Sequence, residues 1–408
     1  MKLPGMLRAG AIGAVLMAGS FAAPALAADA DEIVIGMTVS QTGALNVDSL
    51  AQMRGYEMWR DEVNAAGGIK AGDKHYKIRF VSYDDQSQGG RVQQLYTRLI
   101  VQDKAQFLFS PYSSGLTGTA AVITEQYSRI MVVTGGAEGK TYELGNKDLF
   151  QAITSADHYL TGAVDALHAL DPKAQIAFVY SDDPFSKAVV GAARDQATEA
   201  GFKIVLDESY APSTTDFSPV INKIISAKAD ALLGGGHYPD GATMARQLYD
   251  QKAGLKWVTL LVAPGSEEFS SLGPAALGIS VPSQWEPQAV YKPDFGMTGA
   301  EFAKTFKAKF NVDSDYHAAS GYTAGQVLQH AIEQAGSIDP DKVADALNKM
   351  DVTTFFGRIK FATDAKHHGL QIAHEMVLAQ WQMKNGKLAR EIVWPKSAAT
   401  ADLLFPMP

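Results

Sequence analysis

The chain contains no cysteine among its 408 residues. This absence excludes disulfide bonds, thiol catalysis and cysteine metal ligands, and it excludes the acylated cysteine of a lipoprotein. Beyond residue 27, no apolar run is long enough to cross a bilayer. We therefore expect a protein that is free in its compartment.

The first 27 residues have the pattern of a secretory signal peptide. Lys2 and Arg8 are followed by an apolar stretch, and Ala25-Leu26-Ala27 supplies the small residues of a cleavage site. The stretch is too short and too rich in alanine and glycine for a membrane span. We predict cleavage after Ala27 and a mature protein in a bacterial periplasm.

The net charge is −8, and removing the two basic residues of the leader makes the mature chain still more acidic. Because the remaining Lys and Arg are dispersed, the chain is a poor candidate for nucleic-acid binding. Its length is sufficient for two domains.

Strand-like and helix-like segments alternate along the mature chain in two series, the second of which begins near Thr154. Repeated strand–helix units predict an α/β fold with parallel sheets flanked by helices. No flexible linker separates the series, so we expect extended crossings near Ile153, near Pro282-Ser283 and again late in the chain. The strand-like runs lie at residues 33–37, 77–81, 107–110, 130–133, 176–180, 203–206, 231–236 and 257–262.

Two loops of the first series stand out. The run from Phe109 to Thr117 and the run from Thr134 to Glu138 both follow apolar strands and contain small hydroxyl residues or glycines. The first loop precedes a helix predicted from Gly118 to Gln126. The free N–H groups of a helix start, with nearby hydroxyls, bind an anionic or polar small molecule. Two ordinary helix N-caps are the alternative interpretation.

Signals for catalysis are weak. Gly135 to Thr141 resembles a phosphate-binding loop, but Thr134 occupies the position of the required first glycine. His367, His368, His374 and Glu375 form a cluster without the HExxH pattern, because Leu378 replaces the second histidine. We expect surface or strand residues there. No enzyme activity, cofactor or metal site is predicted.

Several short motifs, taken in order and spacing, resemble the leucine/isoleucine/valine-binding family of periplasmic receptors for ABC importers. The resemblance covers nearly the whole mature chain. Its motifs are Ile35-Gly36 with Thr42-Gly43, Asn64 to Lys70, Tyr83-Asp84-Asp85, Tyr112-Ser113-Ser114, Gly234 to Pro239 and Phe356 to Phe361.

This resemblance implies two Rossmann-like lobes joined by three crossovers, with the ligand cleft between them. We predict that residues 28–153 and about 284–372 form lobe 1. Lobe 2 is predicted to contain about 154–283 and about 373–395, and residues 396–408 form a tail.

The resemblance also implies ligand-binding positions. Ser114 falls where the family holds the carboxylate of its ligand, with Tyr112 and Ser113 on the same wall. The remaining implied positions are Gly136 and Ala137, which offer backbone groups, and the aromatic residues Phe185, His237 and Tyr238.

Two departures from the family pattern indicate an unusual solute. Glu138 stands where amino-acid binders have Thr or Ser, and the loop from Ala263 to Ser266 has no acid for a ligand ammonium group. Glu138 either turns to solvent or accepts donors from the ligand. Trp285 either reaches the cleft or packs at the hinge.

The expected function is that of a monomeric periplasmic receptor that delivers a small polar solute to an ABC permease. An amino acid, an amide or a small or aromatic carboxylate is the expected solute. A sensor of the same fold without a transport role is the alternative.

Overall fold

The computed structural model describes Met1 and residues 31–408, so the predicted signal peptide after Met1 lies outside the described residues. The strands are β1 (Glu32–Val39), β2 (Ile69–Ala71), β3 (Lys74–Asp84), β4 (Phe107–Phe109), β5 (Met131–Val133), β6 (Leu149–Gln151), β7 (Gln175–Ser181), β8 (Lys203–Tyr210), β9 (Ala231–Gly235), β10 (Trp257–Leu260), β11 (Ser280–Ser283), β12 (Asp351–Thr354), β13 (Gly357–Lys360), β14 (Val377–Lys384) and β15 (Lys387–Trp394). The helices are α1 (Asn46–Ala65), α2 (Gly89–Val101), α3 (Ser114–Gln126), α4 (Thr161–Leu170), α5 (Pro184–Glu199), α6 (Ser218–Ala227), α7 (Tyr238–Asp250), α8 (Gly299–Phe310), α9 (Tyr316–Ala335) and α10 (Pro340–Asn348).

The first sheet has the strand order β2-β3-β1-β4-β5-β6. Strands β3, β1, β4, β5 and β6 run parallel, and β2 pairs antiparallel with β3 as a short hairpin. Because the carboxyl ends of parallel strands meet at one edge, the loops after β4 and β5 lie next to each other.

The second sheet has the order β15-β14-β11-β10-β9-β7-β8. Strands β8, β7, β9, β10 and β11 run parallel to one another. Strand β14 pairs antiparallel with β11, and β15 pairs antiparallel with β14. The predicted α/β fold is therefore confirmed, and the second sheet carries in addition an antiparallel edge that the sequence did not indicate. Residues 385–386 connect β14 to β15 as a tight turn, which makes an antiparallel hairpin.

We use "first lobe" for the elements around the first sheet and "second lobe" for those around the second. Helix α9 packs against α1, β2, β5 and α10, which places the α9–α10 segment in the first lobe. Helix α4 packs against α5, β14 and β15 in the second. The exact residue limits given above remain predictions.

The chain passes between the two sheets three times, at residues 152–160, 284–298 and 361–376. Hydrogen bonds join these three segments. Thr154 N–H donates to Gln284 Oε1 at 3.0 Å, and the Gln284 side-chain amide donates back to Thr154 O at 3.1 Å. The Thr154 hydroxyl lies 2.6 Å from His374 Nδ1. The crossings therefore form one connected hinge.

Helices α1 and α9 approach unusually closely. A Cβ atom added to Gly321 would lie 2.2 Å from Gln52 O, and one added to Gly55 would lie 2.0 Å from Ala318 O. Glycine is therefore required at both positions for this helix crossing. The crossing places the first turns of both helices side by side, and these turns carry Asp48 and His317.

None of the helices in residues 31–408 combines the length and the apolar character needed to span a membrane. After β15 the chain has no further strand or helix and runs along the second lobe, where Leu404 N–H donates to Gln380 Oε1 at 2.8 Å.

Candidate functional site

A cavity with about 310 Å³ of empty space lies between the two lobes. Loops of the first lobe, loops of the second lobe, the first crossing and the start of α9 all contribute to its wall. The lining residues are Tyr112, Ser113, Ser114, Thr134, Gly135, Ala137, Ile153, Tyr159, Phe185, His237, Val262, Tyr316 and His317.

The two loops that stand out in the sequence meet at this cavity. The Ser114 hydroxyl oxygen accepts hydrogen bonds from Ala137 N–H and Glu138 N–H, both at 3.1 Å. Gly135 permits this approach, because a Cβ atom there would lie 2.0 Å from Pro111 O. The loops are therefore fixed to each other, and a hydroxyl hydrogen on Ser114 is left to donate.

Helix α3 begins at Ser114, four residues before the predicted start at Gly118. Ser113 is its N-cap, and the Ser113 side chain accepts from Leu116 N–H at 3.3 Å. The prediction was wrong because Ser-Ser-Gly-Leu was assigned to the loop, although a serine N-cap favours a helix directly after it. The start of α3 therefore lies at the cavity, which Ser113 and Ser114 line.

The wall of the second lobe is built on two helix starts. Asp183 caps α5 by accepting from Ser186 N–H at 3.0 Å, which fixes Phe185 in the first turn. His237 is the residue before α7, and its Nδ1 lies 3.1 Å from the Tyr112 hydroxyl of the first lobe. The two lobes are thus in contact across the cavity.

Aromatic rings make up much of the wall. Phe185 packs edge-to-face on Tyr159, with ring centroids 5.1 Å apart, and Tyr112 packs in the same manner on His317 at 5.2 Å. Burial raises the pKa of the Tyr112 and Tyr316 hydroxyls far above the usual value, so both stay protonated. Flat apolar surfaces with a few hydrogen-bonding groups are therefore available to a solute.

A buried charged cluster lies behind one side of the wall. His317 Nδ1 lies 4.0 Å from Asp48 Oδ1 and 3.9 Å from Asp315 Oδ2, too far for a hydrogen bond but close enough for strong ionic attraction. His317 Nδ1 and both oxygens of Asp48 have no hydrogen-bond partner among the described residues. Asp315 additionally accepts from Ala318 N–H at 2.9 Å as the N-cap of α9.

These interactions shift the pKa of each member of the cluster. Burial lowers the pKa of His317, but the carboxylates of Asp315 and Asp48 outweigh it, so the net shift is upward. Burial raises the pKa of Asp315, but His317 and Ala318 N–H bring it below its usual value. Burial raises the pKa of Asp48, and His317 only partly opposes it. Asp315 is therefore the main counter-ion of His317.

Six of the ten predicted site residues line the cavity, namely Tyr112, Ser113, Ser114, Ala137, Phe185 and His237. Gly136 lies behind the wall, where a Cβ atom would lie 2.5 Å from Thr117 Cβ. The Glu138 side chain is half-buried outside the lining set, and burial raises its pKa. Ligand contact by any of these residues remains a prediction.

Tyr238 and Trp285 also lie outside the lining set. Tyr238 packs against the apolar cluster of the second lobe. Trp285 is buried between Phe302 and Phe355, with ring centroids at 5.6 Å and 5.7 Å, so it packs next to the hinge.

The start of α9 is the part of the wall that was not predicted. An N-cap pattern, Asp315 before a long apolar helix, was the available signal for Tyr316 and His317. It indicates a helix start but not the helix face that meets the cleft. Tyr159 lies in the first crossing and Val262 follows β10. No sequence pattern around either residue indicates that it lines a cavity.

Within residues 31–408, no group of three or more His, Cys, Asp or Glu side chains is arranged to hold a metal ion. The expectation of surface or strand residues at positions 367–375 is wrong for His374, which is buried and lies outside the strands. His374 is buried at the hinge, and His367 lies on an exposed turn 3.2 Å from Asp364.

The comparison with protein families agrees with this geometry. Residues 32–387 match the model of the family described as periplasmic binding protein. The chain belongs to this family. Its predicted resemblance and its two-lobed fold are thereby confirmed.

Individual relatives of this periplasmic binding protein match along nearly their whole length. It is 25% identical over 421 residues to Leu/Ile/Val-binding protein homolog 8 of Brucella suis biovar 1 (strain 1330), with 99% of this chain and 100% of the relative covered. The substrate-binding protein LivJ of Streptococcus pneumoniae str. Canada MDR_19A, solved with isoleucine, superimposes with a TM-score of 0.74 at 22% identity, over 90% and 100% of the two chains. A solute-binding protein of Rhodopseudomonas palustris BisB5, solved with 3,4-dihydroxy benzoic acid, gives a TM-score of 0.78 at 19% identity, over 92% and 99%.

Proposed function

We propose that this chain is the solute-binding receptor of an ABC importer and that it binds a small carboxylate between its lobes. The observation that carries the proposal is the cavity between the lobes, to which both lobes contribute hydrogen-bonding and aromatic side chains. We further propose that the leader is cleaved after Ala27 and that the mature receptor acts as a monomer in the periplasm.

The first lobe is suited to bind the carboxylate. Ser114 begins α3 at the cavity, where helix N–H groups without partners favour an anion. Its hydroxyl hydrogen adds a donor, because its oxygen already accepts from Ala137 and Glu138. A carboxylate bound here would receive hydrogen bonds without facing an acid, since Glu138 is outside the lining set.

The rest of the solute would lie among aromatic rings. Tyr159, Phe185 and Tyr316 offer apolar faces, which suit a compact aliphatic or aromatic group. Isoleucine and 3,4-dihydroxy benzoic acid, the ligands of two structural neighbours, share a carboxylate on a compact body. This common chemistry defines the proposed solute class.

Binding would be linked to lobe closure. The Tyr112–His237 contact joins the lobes directly over the cavity, so the described structure has the geometry of a closed receptor. In the open form this contact would break while the three crossings bend. The closed form would then present both lobes to a membrane permease, and no chemical step on the solute is proposed.

A thermal-shift screen tests the proposal. The protein is unfolded, freed of carried-over solute and refolded, and then mixed with amino acids, amides, aliphatic acids and aromatic acids. Because a ligand that binds only the folded state raises its apparent stability, we expect one group of small carboxylates to raise Tm in a concentration-dependent manner. No shift with any carboxylate would contradict the proposed function.

A further inference from the structure

We propose that His317 binds the solute carboxylate through its Nε2–H group and that Asp315 and Asp48 keep its ring cationic. This inference rests on the proposed function and adds a specific residue and a specific charge to it. His317 lies about 200 residues from Ser114 in sequence, at the start of α9.

The orientation of the ring carries the first part of the inference. His317 lines the cavity, whereas Asp48 and Asp315 do not. Its Nδ1 edge is turned toward the two acids, at 4.0 Å and 3.9 Å. Nε2, on the other side of the ring, has no hydrogen bond to the described residues, and the proposal places it toward the cavity that His317 lines.

The surrounding charges carry the second part. Asp48 faces His317 from α1, Asp315 faces it from the N-cap of α9, and Glu268 contributes more distantly from the second lobe. Tyr112 and Tyr316 pack against the His317 ring, and both stay neutral. His237 contacts Tyr112 from the second lobe. Three acids around one imidazole favour the imidazolium form, and their effect on its pKa exceeds that of burial.

This arrangement selects an anion rather than a cation. A solute in the cavity meets the imidazolium ring first, because both nearby acids lie behind it. An ammonium group at this point would face a like charge, whereas a carboxylate would accept a charge-assisted hydrogen bond.

The test is the pH dependence of affinity, measured by titration calorimetry between pH 6 and pH 9. Three carboxylates, namely benzoate, 3,4-dihydroxybenzoate and isoleucine, serve as probes, and benzamide is the uncharged analogue of benzoate. Since only protonated His317 binds the carboxylate well, affinity should fall as pH rises through its pKa, with a slope approaching tenfold per pH unit. Benzamide binding should not change with pH.

Four variants separate the roles of the residues. His317→Gln should weaken binding of the best carboxylate at pH 6 about tenfold or more and abolish the slope. Asp315→Asn retains an N-cap side chain, so it should fold and shift the fall in affinity to lower pH. His237→Gln should weaken binding but keep the slope, and exposed His168→Gln should change neither.

The outcomes distinguish this inference from the function on which it rests. If the wild type binds a carboxylate and His317→Gln binds it with the same affinity and slope, the assignment of His317 is overturned and the receptor function stands. If none of the three carboxylates binds the wild type, the proposed function is contradicted, and with it this inference.

Discussion

In the proposed function, the Ser114 hydroxyl combines a structural and a binding role. It holds the two first-lobe loops together through Ala137 and Glu138, and it retains a hydrogen for the solute. We predict that Ser114→Ala weakens carboxylate binding by about 1–2 kcal/mol, because one hydrogen bond to a charged group is lost. Titration calorimetry with the best probe measures this effect.

Ser280→Ala is the matched control. Ser280 is equally buried and accepts from Trp257 Nε1 at 2.7 Å, but it lies in the second sheet outside the cavity wall. It should lower Tm without changing affinity. If Ser114→Ala also lowers only Tm, then Ser114 merely joins the loops.

Positions that line the cavity were predicted where they lie within a few residues of a strand end and were missed elsewhere, whereas ligand contact by any of them stays a prediction. Ser114 and Phe185 lie just after β4 and β7, and parallel topology alone brings such positions to the cleft. His317, about 200 residues later in the chain, lines the cavity because α9 crosses α1. The angle of that crossing depends on packing between α1 and α9, which no local pattern contains.

The crossing of α1 and α9 is the element that positions His317 beside Asp48. Gly321→Ala should destabilise the fold by about 1–3 kcal/mol, because the new methyl group would meet Gln52 O in a packed interface. It should also weaken carboxylate binding by displacing the first turn of α9. Thermal or denaturant unfolding and calorimetry measure the two effects.

Gly191→Ala in α5 provides the comparison. An added Cβ atom there meets nothing within 4 Å, so alanine should stabilise the helix by about 0.5–1 kcal/mol and leave affinity unchanged. If both variants have the same stability and the same carboxylate affinity, the close approach of α1 and α9 has no role in the site.

The hinge contains a histidine whose titration should be visible in stability. Burial lowers the pKa of His374 to about 4. Its Nε2–H donates to Phe356 O at 3.0 Å, which leaves Nδ1 to accept from the Thr154 hydroxyl. The ring is therefore neutral in the folded protein and must be protonated on unfolding below its ordinary pKa of about 6.5.

Stability should consequently decrease as pH falls from about 6.5 toward 4, by roughly 3 kcal/mol in total from this residue. Chemical unfolding at several pH values measures the decrease, and the difference between the wild type and His374→Gln isolates it from the carboxyl groups. An identical pH profile in the variant would contradict a buried neutral His374. His168→Gln should follow the wild type.

At the scale of elements, periodicity predicted the two α/β series because strands and helices differ in the spacing of apolar residues. The three crossings were expected instead from the absence of a flexible linker and from the family resemblance. The antiparallel pair β14–β15 was not predicted. Its direction is set by the tight turn at residues 385–386 and by pairing with β11, which is almost 100 residues away.

The whole molecule is organised so that its hinge lies beside the cavity it closes. Thr154 and Gln284 bind each other in adjacent crossings, and Ile153 and Tyr159 of the first crossing line the cavity. We predict that solute binding decreases the radius of gyration in solution scattering, because the proposed opening of the lobes would break the Tyr112–His237 contact. The Tyr112→Phe variant lacks this hydroxyl contact. It should need a higher solute concentration to reach the same decrease in the radius of gyration.

Equal scattering curves with and without a saturating solute would count against closure. Such a result would indicate that the two lobes bind the solute without moving relative to each other. A wild type that is already compact without solute would give the same result, so the protein must first be refolded free of solute.

Titration calorimetry of the refolded protein with benzoate, 3,4-dihydroxybenzoate and isoleucine tests the central claim most directly. The account predicts that at least one of these carboxylates binds at one site per chain and that Ser114→Ala and His317→Gln each weaken it. Absence of binding by all three, or binding that neither substitution changes, would contradict a carboxylate receptor built on this cavity.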